Sequence, residues 1–142
     1  MRLRFLALLL LASCDASDDL LANVPRLRLT PVAAPFQLDP ATGTATVQLR
    51  LTNEHPNTVY VAGCDNKPLV ALERRNGSAW ENAAAAVCPA SLSAAPVAVG
   101  ALSGINFTVA AGTTGSFRAV ASTSFVIAGS YQPLSSNEFS VR

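Results

Sequence analysis

The sequence predicts an all-β fold, a two-sheet antiparallel sandwich of about seven or eight strands. Three observations carry that expectation. Gly, Pro, Asn or Ser punctuate the chain every eight to twelve residues from Arg26 onward. The intervening runs are short and alternate apolar with polar residues, the period of a strand with one buried face. No stretch of ten residues holds a helical 3.6 period, and no internal repeat is present.

Taken in order, Leu27 and Leu29 alternate with Arg26, Arg28 and Thr30 until Pro31, which confines this run to an edge or splits it. Thr44 to Asn53 is the clearest strand, with Val47, Leu49 and Leu51 between Thr46, Gln48 and Arg50. A turn at Glu54-His55-Pro56-Asn57 leads into the β-branched and aromatic run Thr58 to Ala62. Leu69 to Arg75 reaches Asn76-Gly77, a strong hairpin signal, and Ala79-Trp80-Glu81 returns from it. Trp80 is expected to cover one end of the core with its indole N–H on a partner.

Asn82 to Ala95 carries the weakest β signal and reads as a crossing loop between sheets. Ala83 to Ala86 there is long enough for one helical turn, and Pro89 prevents more. Beyond Pro96, Val97 and Val99 alternate, then Ile105, Phe107 and Val109. Ala111-Gly112 and Gly115 turn the chain into Ser116 to Thr123, where Phe117, Ala119 and Ala121 share a face opposite Val120. Phe125 to Ile127 is apolar without alternation and receives no placement. Glu138 to Arg142 closes the chain with Phe139 and Val141 on one face.

The 142 residues make one domain, with 10 Lys plus Arg against 9 Asp plus Glu. A formal charge of +1 without a basic cluster argues against nucleic acid as a partner. Half the residues are hydrophobic and 13% are charged, which argues against disorder. One His and an initiator Met leave few soft or imidazole ligands, so no metal or other cofactor is expected.

The first residues have the layout of an export signal: Arg2 and Arg4, then an unbroken apolar run from Phe5 to Ala12, too short for a permanent membrane span. The run ends in Leu11-Ala12-Ser13-Cys14, which resembles the lipobox of bacterial lipoproteins. That resemblance implies a diacylglycerol thioether on Cys14, cleavage just before it, and acylation of the new amino group, with palmitate as an expected acyl chain. An ordinary signal peptide cut at a small-residue site is the alternative.

Residues 1–13 are then the signal peptide, 14–25 a lipidated Cys and flexible tether with about 20 Å of reach, and 26–142 the sandwich. Loss of Arg2 and Arg4 leaves 8 basic against 9 acidic side chains, so the lipid and not charge holds the protein to its membrane. The expected address is the bacterial cell envelope. Asp15 after the Cys is an inner-membrane retention feature in enteric bacteria and does not transfer safely to other bacteria, so the leaflet stays open.

With Cys14 assigned to lipid, Cys64 and Cys88 remain as an even pair in an oxidising compartment, and a disulfide between them is expected. It would staple the strand near Val59 to the weak 82–95 loop. It is not the inter-sheet bridge of antibody domains, because Trp80 lies late between the two Cys.

The run TVQLRLTNEHPNTVYV, then Gly-Cys, LVALERRNGSAWENA, a second Cys-Pro and the ending SSNEFSV resemble small immunoglobulin-like domains of bacterial lipoproteins. The alternating strand, LTN, turn and VYV are also similar to the β-sandwich of intracellular proteinase inhibitors. These resemblances imply an immunoglobulin-like fold over most of Thr44 to Arg142, and they carry over no inhibitory residue.

No catalytic residues are expected. His55 is a lone turn imidazole, expected to be exposed, and no G-x-S-x-G, H-E-x-x-H or phosphate-cradling glycine loop occurs. Glu73 and Glu81 are placed to face each other across the Asn76-Gly77 hairpin and read as surface charges. Asn76-Gly77-Ser78 and Asn106-Phe107-Thr108 match the glycosylation sequon, but bacterial export makes both incidental. The expected function is non-enzymatic: a lipid-anchored binding or scaffolding domain with a protein partner. The alternative is a protease inhibitor presenting the 82–95 loop pinned by Cys88.

Overall fold

The computed structural model describes residues 27–142, so the signal segment, Cys14 and the expected tether lie outside the described residues. Among the described residues there is no helix. The strands are β1 (Leu27–Pro31), β2 (Ala45–Asn53), β3 (Val59–Val61), β4 (Gly63–Cys64), β5 (Lys67–Pro68), β6 (Val70–Asn76), β7 (Ala79–Ala84), β8 (Val97–Val99), β9 (Ser103–Ala111), β10 (Gly115–Ser124), β11 (Gln132–Ser135) and β12 (Phe139–Val141). They form an all-β, sandwich-like fold.

One sheet has the order β1-β2-β9. Its centre is β2, whose burial alternates as its sequence does: Ala45, Val47, Leu49, Leu51 and Asn53 are buried and Thr46, Gln48 and Arg50 exposed. Opposite them in the antiparallel register stand Val109, Phe107 and Ile105 on β9, which therefore share the inner face. β1 pairs along the other side of β2, with Leu29 opposite Leu51.

The second sheet is built around β10. β11 and β12 lie on one edge of it, because each overlaps β6 in register and a strand has two edges. β3 and β6 share the other edge: Val61 stands opposite Thr123 and Val70 opposite Ala121. These two are thus one interrupted strand, from which the β4–β5 hairpin is extruded, and the Leu69 N–H donates to the Ala62 carbonyl (2.8 Å) to close its base. β8 and β7 continue the sheet outward from β3 and β6. The core lies between the sheets, where Val47, Leu49 and Leu51 meet Leu72, Phe117, Ala119 and Phe139.

Beyond β1 the chain changes sheets. After Pro31 the chain crosses over, and Phe36 runs parallel to β12, donating to Ser140 O (3.0 Å) and accepting from the Arg142 N–H (2.9 Å). Prolines without an N–H suit such a crossing, because a gap in the ladder costs nothing there.

Several sequence expectations need correction. Asn82 to Ala84 are not loop and Ala83 to Ala86 form no helical turn: β7 continues to Ala84, with Ala84 opposite Leu72 across an irregularity at Leu72/Glu73. The ladder to β6 overrides alanine's weak β preference. The Asn76-Gly77 hairpin forms one residue later, since Asn76 pairs with Ala79 and Gly77 (φ +59°) is the first of two turn residues, the pattern of a type II′ turn. Trp80 does not cap the core. It is half-buried on the outer surface of the sheet beneath the Arg118 guanidinium, 4.7 Å from its ring centroid. β4, β5 and β11 have no counterpart in the sequence pattern.

Candidate interaction surfaces

One end of the sandwich gathers three connections: β2–β3, β8–β9 and β10–β11. Asn53 joins two of them. Fully buried, it donates from Nδ2 to the carbonyls of Asn57 (2.8 Å), Gly100 (3.0 Å) and Val99 (3.1 Å), and its Oδ1 accepts the His55 N–H (3.0 Å). Leu102 N–H adds a bond to His55 O (3.2 Å). His55 is half-buried, not exposed as expected; its Nδ1 accepts the Asn57 N–H (3.1 Å) and its ring lies 5.2 Å from that of Phe125. The imidazole thus fixes a turn and supports the third loop.

The tips of these loops are apolar and open to solvent: Leu102 is 76% exposed, Val126 61%, Ile127 58% and Phe125 46%. Leu102 holds φ +51°, a left-handed conformation that a leucine adopts at a steric cost of about 1–2 kcal/mol. The Phe125–Ile127 bend is held by Ser124, whose Oγ takes the Val126 N–H (3.2 Å) and donates to Val126 O (2.9 Å). Leu27 pairs with Asn53, so the described chain enters at this same end.

Beside the tips runs an apolar groove of about 330 Å³, between Ala62 and Leu69 of the extruded hairpin, Ala95 and Pro96 of the following loop, and Ile127 and Tyr131. The hairpin turns through Asp65 (φ 49°) and Asn66 (φ 61°), two residue types that tolerate the left-handed region and so form a type I′ turn. The 85–96 loop is held against it by Asp65 N–H to Ser93 O (3.0 Å), Ala95 N–H to Gly63 O (3.2 Å), and the Cys64–Cys88 disulfide, whose Cα atoms are 5.4 Å apart. Gly63 is required at this contact, because a Cβ there would collide with the Ala95 carbonyl and Val97 Cγ2. The disulfide therefore staples the loop to the hairpin and not to β3 itself. Val87, one residue before the bridge, is 69% exposed.

The second surface is the free edge of β9. Nine residues long and without charge or proline, β9 pairs only with β2 among the described residues. Its sequon residue Asn106 is exposed and accepts from Arg50 Nη1 (3.3 Å). A shallow depression of about 220 Å³ lies between Val32, Gln48 and Thr108 on the outer face of that sheet.

Glu73 and Glu81 do not face each other. Glu73 stands opposite Asn82 and binds Arg118 (2.6 Å), while Glu81 accepts from Asn76 Nδ2 (2.8 Å). Glu81 stands opposite Arg74, so the two carboxylates project from opposite faces of the sheet. Among the described residues no three His, Cys, Asp or Glu side chains gather as metal ligands. The apolar tips have a sequence trace in the non-alternating Phe125-Val126-Ile127, and the extruded hairpin has one in Asp65-Asn66. Compared with known proteins, the chain matches no family model, no curated protein and no solved structure.

Proposed function

We propose that this chain is a lipid-anchored protein of the bacterial cell envelope whose immunoglobulin-like sandwich is a non-enzymatic binding domain. The anchor reading is carried by one observation, the Leu11-Ala12-Ser13-Cys14 sequence at the end of an apolar run. The immunoglobulin-like reading draws support from the strand order: a β1-β2-β9 sheet, a chain that leaves β1 to pair Phe36 with β12 of the other sheet, and a second sheet centred on β10. The binding reading draws support from β9, since an uncharged nine-residue edge offers unpaired N–H and C=O groups to an added strand. The partner is a protein with an extended segment.

Metabolic labelling with a clickable fatty acid tests the anchor: the wild type labels and fractionates with membranes, whereas Cys14→Ala does neither. A Cys14→Ala protein that still labels and stays with membranes removes the anchor. A photo-crosslinking residue at Thr108 tests the edge. It yields a protein adduct in native membranes that the same residue at Ser78, on the remote hairpin, does not; equal adducts, or none at Thr108, count against β9.

A second reading, protease inhibition, is favoured by the 85–96 loop, which presents exposed Val87 beside a disulfide and two backbone bonds. A loop preordered in this way loses little entropy on binding a protease. Inhibition of secreted proteases by the intact protein, lost in Cys88→Ser, supports this reading; a panel without inhibition removes it.

A further inference from the structure

The geometry points to the Leu102 and Phe125–Ile127 loop tips lying in the headgroup layer of the membrane that holds the anchor, so that the sandwich stands on this end. This inference rests on the lipid-anchor reading and goes beyond it, because an anchor alone leaves orientation free.

Three observations converge. The tips place four large apolar side chains in water on two loops that His55 bridges, through its carbonyl to the Leu102 N–H and its ring beside Phe125; singly scattered exposure is ordinary, whereas such a cluster at one end calls for a cover. The described chain enters at this end, since Leu27 stands opposite Asn53. As a random coil, the twelve residues 15–26 between Cys14 and Leu27 span about 20 Å, less than the length of the sandwich.

Strand β10 carries the sandwich about 30 Å from Ser124 to Gly115. The end bearing Asp39–Thr44, Asn76–Ala79 and Arg142 is therefore the one held away from the bilayer. Charge agrees with this assignment. At the crest end Arg28 is neutralised by Glu54 (3.4 Å), and Leu102 and Phe125–Ile127 bring no charge that would have to leave water. Aliphatic and aromatic side chains at loop tips gain by entering the interfacial layer, and a tether that already holds the domain close makes that insertion intramolecular.

The test uses the full-length acylated protein in vesicles of phosphatidylethanolamine and phosphatidylglycerol. Trp80→Phe removes the sole native reporter, and Val126→Trp places a new one on the crest, with Leu102→Trp as a second site and Ser78→Trp as the remote control. The expected result is a blue-shifted emission for Trp at 126 and 102 that brominated acyl chains quench, with unshifted and unquenched emission at 78. Acylated, vesicle-bound protein with no quenching at 126 and 102 overturns this inference and leaves the anchor standing. A blue shift that brominated lipid leaves untouched means that a protein or a second copy covers the crest, and overturns it equally. Protein without acyl mass that fails to float with vesicles removes the anchor, and this inference with it.

Discussion

The Asn53 carboxamide has two N–H donors and one oxygen, and four backbone groups from the β2–β3 and β8–β9 connections take them up. Removing the side chain leaves those groups without protein partners at a part-buried site, a loss of about 1–3 kcal/mol. Asn53→Ala should lower the unfolding free energy in urea by that amount, and Asn53→Asp, which keeps the shape but has no donors, should do no better. A loss below about 1 kcal/mol would mean that the turns hold without it. Asn66 offers a second residue-scale test. Its φ of 61° favours Gly, Asn or Asp, so Asn66→Val should cost about 1–2 kcal/mol while Asn66→Gly is tolerated, read by thermal unfolding. The Arg118–Glu73 pair is partly exposed, and its loss should cost less than about 1 kcal/mol.

Among the elements, the extruded hairpin and the stapled loop behave as one unit. Opening the Cys64–Cys88 bridge releases a 24-residue separation, worth roughly 3–4 kcal/mol in the chain-entropy view. Cys88→Ser should therefore reduce global stability by up to that amount and also make the 85–92 stretch the first site of limited proteolysis. Resistance there equal to the wild type would show that the two backbone bonds suffice.

The elements readable in the sequence are those whose side chains alone set the pattern. β2 alternates cleanly and β10 does so from Phe117 to Ala121 apart from Val120, because one face of each is core and the other faces outward. The sequence pattern stops β7 short, because residues 83–86 are all alanine and carry little preference of their own; pairing of Asn82 and Ala84 with β6 decides the conformation. β11 escapes the pattern because Pro133 lies inside it, tolerable on the outer edge of the sheet. The Cys pair follows from counting, whereas the crest follows from nothing local. It needs Leu102 and Phe125–Ile127, far apart in sequence, to be brought together by the topology.

In the molecule as a whole, the point where the described chain enters and the apolar crest lie at one end, and the free β9 edge runs along the side. A protein standing on its loop tips would keep that edge clear of the bilayer and open to a partner strand. Both the proposed orientation and the proposed address hang on lipidation of Cys14, and intact-mass measurement of the native chain extracted from membranes reads that modification without any intermediary. The expected product is a chain that starts at Cys14 and carries the added mass of a diacylglycerol thioether and an N-acyl group. A native chain with an unmodified Cys14, or one that begins beyond it, would remove the anchor and the membrane orientation together.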